Sequence, residues 1–310
     1  MGELLYQRDI YGQTLVELGR KNKDVVVLDA DLSSSTRTSL FAKEFPTRFF
    51  NFGVAEQNMM ATAAGLASCG KIVFASTFAL FATGRAWDQV RNSICYNNFN
   101  VKIVASHAGI TVGEDGATHQ AIEDIAIMRC IPNMKIIVPC DGPETREAVI
   151  AVAEKEGPAY IRLGRAKFPT IENKGKFEIG KVYALCEGED LTIVACGIMV
   201  NIALTAAEML RKENIKVTVL NMHTIKPLDT DTLFKYAQRT KRFIVCEEHM
   251  VTGGLGSAVA EFLSENYPIP VLRVGIQNCF GQSGSPDDLL KEYGLTPQDI
   301  VCKARKIFAK

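Results

Sequence analysis

The stretch Glu56-Gln-Asn-Met-Met-Ala-Thr-Ala-Ala-Gly-Leu-Ala-Ser-Cys69-Gly70-Lys-Ile72-Val-Phe74 decides the fold. It reads as a helix over 56–69 that stops at Gly70, where a left-handed C-cap is wanted. A short apolar strand follows at 72–74. Outward in both directions the same alternation repeats. Strand-like runs lie at 25–28, 102–105, 135–138 and 159–162, and a second set at 191–196, 216–220, 243–246 and 271–274. Helical stretches fall between them, such as 146–155 before Gly157 and 201–214. Short strands alternating with longer helices predict an α/β fold of mainly parallel sheets built from right-handed crossovers.

The chain has 310 residues, room for two units of roughly 150 residues. Between 165 and 190 the sequence carries Pro, Gly and charge without sustained periodicity. We therefore expect one domain over 1–167, a linker over 168–190 and a second domain over 191–310. Lys and Arg total 35 and Asp and Glu total 35, so no net charge attracts a polyanion, and nucleic acid is not an expected partner. No apolar run approaches the ~18 residues of a membrane span, and the start, MGELLYQRDIYG, lacks a signal-peptide pattern. Nine cysteines with no CxxC pair read as reduced thiols of a cytoplasmic protein, with neither a disulfide framework nor a zinc site.

In an open α/β sheet, ligands collect beyond the carboxyl ends of the strands. The groups found there are Asp31 and Ser35, Glu56, Phe78 and Phe81, His107, Asp115 and His119, and Arg165. Each has a plainer role available. Asp31 and Ser35 suit helix capping, and Glu56 suits a helix start. Phe78 and Phe81 suit a core, Gly113-Glu-Asp-Gly a turn, and the two histidines a buried hydrogen-bond network. Their coincidence at one sheet edge favours a site. The glycines of Thr252-Gly-Gly-Leu-Gly-Ser257 fit close helix–sheet packing, or a phosphate cradle at a helix N-terminus.

Three ordered motifs carry a resemblance. Phe52-Gly53-Val54-Ala55-Glu56-Gln57, Ser76-Thr77-Phe78 and Gly113-Glu114-Asp115-Gly116-Ala117-Thr118-His119-Gln120 resemble the pyrimidine-binding domain of transketolases. Lys226-Pro-Leu-Asp229 and Gly253-Gly-Leu-Gly-Ser257 are similar to the family's C-terminal domain. The likeness covers essentially the whole chain but only the second half of a full-length transketolase. The Gly-Asp-Gly magnesium motif of the family's other half is absent from this sequence.

The resemblance implies a subunit of a split transketolase, an enzyme that uses thiamine diphosphate to transfer a two-carbon ketol unit from a ketose phosphate to an aldose phosphate. It also implies a diphosphate-binding partner subunit that holds Mg2+ or Ca2+ in an α2β2 assembly, with self-association through the C-terminal half. No metal ligand is expected in this chain. Glu56 matches the glutamate that meets the pyrimidine N1′ and favours its imino tautomer, Phe81 and Phe78 the aromatics against the ring, and Asp31 an acidic neighbour. Arg8, Ser35, His107 and Arg165 match residues gripping the sugar phosphate. Asp115 and His119 match contacts to the sugar hydroxyls, His119 also serving as a proton shuttle. Ala117 stands where the family usually has Pro, and Gly84 where it often has Tyr. Arg85-Ala-Trp-Asp-Gln89 resembles instead the deoxyxylulose-phosphate synthase branch. The β subunit of a 2-oxoacid dehydrogenase is the alternative thiamine enzyme; the Gly113–Gln120 run favours sugars.

Overall fold

The computed structural model describes residues 2–172 and 175–309. In chain order the strands are β1 (Leu4–Tyr6), β2 (Val25–Asp29), β3 (Phe49–Asn51), β4 (Ile72–Phe78), β5 (Val101–Ser106), β6 (Lys135–Ile137) and β7 (Ala159–Arg162). They continue as β8 (Lys167–Pro169), β9 (Tyr183–Cys186), β10 (Leu191–Ala195), β11 (Val217–Asn221), β12 (Thr224–Lys226), β13 (Phe243–Met250) and β14 (Val271–Ile276). One sheet has the order β12-β6-β7-β5-β4-β2-β3 and is parallel except for β12. A second has the order β14-β13-β10-β11-β9, parallel except for β9. The fold is α/β, and β1 with β8 adds an antiparallel ribbon.

The central strands are apolar throughout because both faces are covered. All five residues of β2 are buried, as are all six of β5 and all five of β10. Tyr11 and Leu15 of helix Gln7–Lys21 and Val149 of helix Gly142–Ala153 cluster on one face with Val25, Val27 and Phe74. Helix Glu56–Ser68 covers the other face. Its Met59, Met60 and Ala63 cluster with Leu28 and Ala75, and each buried methionine contributes about 2 kcal/mol. The helix stops where expected, with Gly70 at φ 82°.

Five strands lie outside the sequence expectation: β1, β3, β8, β9 and β12. Each has only three or four residues, too few to show a period. Most of β8 and all of β9 fall within the 168–190 segment, of which residues 173 and 174 lie outside the described residues. The antiparallel β12 belongs to the later part of the chain yet completes the first sheet along β6. One apolar cluster also runs from Met59 and Ala63 to Val194, Leu220 and Phe243, so the two sheets share a core. The glycine run at 252–257 has a different occupant from the phosphate expected as one option. The Glu247 carboxylate accepts from the amides of Leu255 at 2.7 Å and Gly256 at 2.8 Å. A Cβ on Gly254 would stand 2.0 Å from that carboxylate, so glycine there permits the close approach.

Candidate active site

The parallel strands of the seven-stranded sheet end at one edge, and two groups of side chains meet there. The first is aromatic. Phe78 closes β4, and the chain then turns through π-helical segments at Phe81–Arg85 and Val90–Cys95. Such wide turns re-aim side chains and are frequent at functional sites. The Phe78 ring stacks on His107, with centroids 3.8 Å apart, and lies 6.0 Å from Phe81 at an interplanar angle of 20°. His119 stands edge-on to both phenyl rings, at 6.3 and 5.5 Å.

His107 follows β5 directly, with φ 59° and Nδ1 2.9 Å from the Ser106 hydroxyl. Burial, then the charges of Arg8 and Arg165 and the neighbouring His119, push its pKa down to about 3. At neutral pH the ring is therefore uncharged, a hydrogen-bonding group rather than a cation.

Glu56 opens its helix and is 1% exposed. Arg85 Nη1 donates to Glu56 Oε2 at 3.1 Å, and the guanidinium lies 5.5 Å from the Phe81 ring centre. A planar group with N–H donors thus spans the aromatic face and the buried carboxylate. At Gly84 an added Cβ would meet nothing within 4 Å, so the space beside it is open.

The second group is cationic. A cavity of about 340 Å³ is lined by Tyr6, Arg8, Thr111, Glu114, Arg165 and Lys167, among others. Arg165 Nη1 donates to the Val112 carbonyl at 2.6 Å and to Glu114 Oε2 at 2.9 Å. Arg8 Nε is buried with no partner among the described residues. Desolvation, then the charge of Arg37, lowers the Arg8 pKa, and Arg165 adds to the effect. A larger hollow of about 640 Å³ along Ile202, Leu290 and Pro297 contains none of these groups.

The structure therefore joins Glu56, Phe78, Phe81, His107 and His119 in one cluster and sets Arg8 and Arg165 close enough to bias His107. It does not join the other three. Asp31 is exposed with φ 66°, and only its backbone N–H is engaged, by Asn51 Oδ1 at 3.1 Å. Ser35 sits half-buried in the short helix Ser33–Thr36, and Asp115 is exposed at the end of the 3-10 turn Ile110–Asp115. Neither side chain has a hydrogen bond among the described residues. Asp31 does not cap the helix after β2. Asp29 instead ties down the turn before that helix, accepting from the Leu32 amide at 2.6 Å and from the Thr36 and Thr38 hydroxyls at 2.7 and 2.8 Å. Asp29 ends an apolar run and carried no signal of this role. Arg85 lay inside a quoted motif, but its partner 29 residues earlier could not be read from spacing.

Residues 5–170 match the family model described as the transketolase pyrimidine binding domain, and 180–300 match the transketolase C-terminal domain. A Methanocaldococcus jannaschii protein named as a transketolase C-terminal section is 54% identical over 296 residues, covering 94% of this chain and 92% of its own length. The 6-deoxy-6-sulfo-D-fructose transketolase subunit of a Clostridium species is 44% identical, covering 97% and 94%. A solved structure described as a split gene transketolase, inactive beta4 tetramer, superposes with a TM-score of 0.92 at 54% identity, covering 98% and 99%.

Proposed function

The chain belongs to the transketolase family, and we propose that it is the pyrimidine-binding and C-terminal subunit of a split enzyme that transfers a two-carbon ketol unit from a ketose phosphate to an aldose phosphate. The observation that carries the reading is Glu56, buried at a helix start with Arg85 bridging it to the face of Phe81. An aminopyrimidine is likewise planar and bears N–H donors. It would meet the same carboxylate and the same ring, so these residues fit the pyrimidine of thiamine diphosphate.

When bound, the cofactor supplies a carbon acid that serves as nucleophile and electron sink. The chain's own groups do the rest. Glu56 holds a proton at the pyrimidine N1′, where a desolvated carboxyl is strongest as a partner. Phe81 and Phe78 pack against the ring, with Asp31 as an acidic neighbour. His119 moves a proton at the sugar carbonyl and hydroxyl beside Asp115. Arg8, Ser35, Arg165 and His107 grip the sugar phosphate, His107 as an uncharged hydrogen-bonding group.

The metal and diphosphate site comes from a partner subunit in an α2β2 complex, consistent with the missing Gly-Asp-Gly motif. The parts 1–167 and 191–310, joined by 168–190, act as the pyrimidine half and the half that supports self-association. No disulfide links the cysteines among the described residues, which suits a cytoplasmic enzyme of carbohydrate metabolism, in the pentose phosphate pathway or a related sugar route. Mixing this chain with a Gly-Asp-Gly-bearing subunit, Mg2+ and thiamine diphosphate tests the proposal. Two-carbon transfer from xylulose 5-phosphate to ribose 5-phosphate, absent from either chain alone, is the expected result. Turnover of pyruvate instead would select the 2-oxoacid reading.

A further inference from the structure

Lys167 lies outside every motif quoted above, yet it faces the same cavity as Arg8 and Arg165. The ribbon of β1 and β8 puts it there, pairing Tyr6 with Lys167. The Arg8 guanidinium lies 4.9 Å and the Lys167 ammonium 5.1 Å from the Tyr6 ring centre, so one aromatic face holds two cations together. Arg37 is paired with Asp9 and Arg165 with Glu114. Lys167 has no salt bridge among the described residues, and Arg8 keeps a buried, unpartnered Nε. Three cations against one carboxylate leave an excess of two positive charges at the cavity.

From this we infer that Lys167 is a specificity-determining residue, which with Arg8 and Arg165 tunes the cavity to a terminal dianion over a monoanion. Its ligand class is a phosphate monoester, whose second pKa near 6 makes it mostly doubly charged at pH 7.5, and not a sulfonate, which carries one charge. The inference rests on reading this cavity as the phosphate end of the sugar site. It bears on choice among relatives, because the Clostridium relative is named for a sulfo-sugar. An exposed ammonium is screened by water, so its share is modest, on the order of a fivefold change in affinity.

Calorimetric titration of the isolated chain with inorganic phosphate and with methanesulfonate at pH 7.5 tests the claim without turnover. Phosphate should bind more tightly. Lys167→Met should weaken phosphate about fivefold and methanesulfonate less than about twofold, and Lys167→Arg should restore the preference. No phosphate binding by the wild-type chain, or an equal loss for both anions, overturns the inference. In the reconstituted enzyme Lys167→Met should raise KM for a ketose phosphate about fivefold at unchanged kcat, and a fall in kcat instead would also overturn it. Absence of two-carbon transfer by the wild-type complex defeats the functional proposal alone, since the calorimetry still decides the charge preference.

Discussion

The two parallel sheets have similar carboxyl edges in outline and opposite ones in chemistry. At the edge of the seven-stranded sheet, polar groups are left with capacity to spare. Among the described residues Arg8 Nε is unpartnered and Glu56 is held only by a half-exposed arginine, and His107 and Asp31 take left-handed backbone conformations that cost of order 1–3 kcal/mol each. At the edge of the five-stranded sheet the groups close on one another. Glu247 takes two helix amides, and His249 Nδ1 donates to the Met250 carbonyl at 2.7 Å while its Nε2 accepts from Ala126 N. Glu248 accepts from the Thr111 amide at 2.7 Å, and Arg162 donates to Asp124 and to the Glu248 carbonyl. One edge keeps bonding capacity for a ligand, and the other turns its buried carboxylates to joining the two sheets.

The sharpest way to break this contrast is to exchange the consequences of losing a glutamate from each edge. Glu56→Gln in the reconstituted complex should lower kcat by about 10²–10⁴, or roughly 3–5 kcal/mol of barrier, with the urea unfolding midpoint little changed. A wild-type rate would remove the carboxylate from the reaction. Glu247→Ala should do the reverse. Two buried amides lose their acceptor, so the chain should lose roughly 3 kcal/mol of stability in urea unfolding while the folded complex keeps its kcat. Preserved stability would mean that the amides find another partner and that this edge is not closed.

Smaller effects sharpen the picture. Arg165→Met should raise KM for a sugar phosphate by tenfold or more, since a charged hydrogen bond is worth about 1.5–3 kcal/mol; an unchanged KM would place the phosphate elsewhere. The last effect concerns acid. Folding lowers the His107 pKa to about 3 from an ordinary value near 6.5, so below pH 6.5 the unfolded chain binds a proton that the folded chain refuses. Stability from this group is complete above pH 6.5 and falls with pH, by up to about 1.4 kcal/mol per unit, until the folded pKa is passed. His107→Gln should flatten unfolding free energy between pH 6.5 and 5, and an identical slope in the variant would show that the ring is not held neutral.

How much of this was legible depended on length and on range. The runs that became β2, β5 and β10 are buried on both faces, so apolar composition alone marked them. The three-residue β12 gave no such mark, because it forms only when β6 offers an edge. Among site groups, Glu56, Phe81 and the two histidines stand where strand ends and helix starts put them, which local sequence can indicate. The Arg85–Glu56 contact spans 29 residues and depends on a π-helical turn, and Lys167 reaches the cavity through a ribbon joining residues over 160 positions apart. Such pairings arise from tertiary closure and leave no periodic trace. Asp31 shows the converse: a capping residue type that sits in a left-handed turn while its neighbour Asp29 bonds the Leu32 amide.

The reversed strand β12 also limits how this protein can be taken apart. A fragment cut near residue 180 would leave β6 with bare amides and carbonyls along a flat border, an invitation to stray pairing and precipitation. The Leu220 and Ile225 side chains, which share an apolar cluster with Ile136 of β6, would leave with the discarded piece. Gene engineers seeking a minimal thiamine-ring module from this chain would do better to keep everything through Lys226 and its supporting helices than to trim at the seam that the sequence suggests.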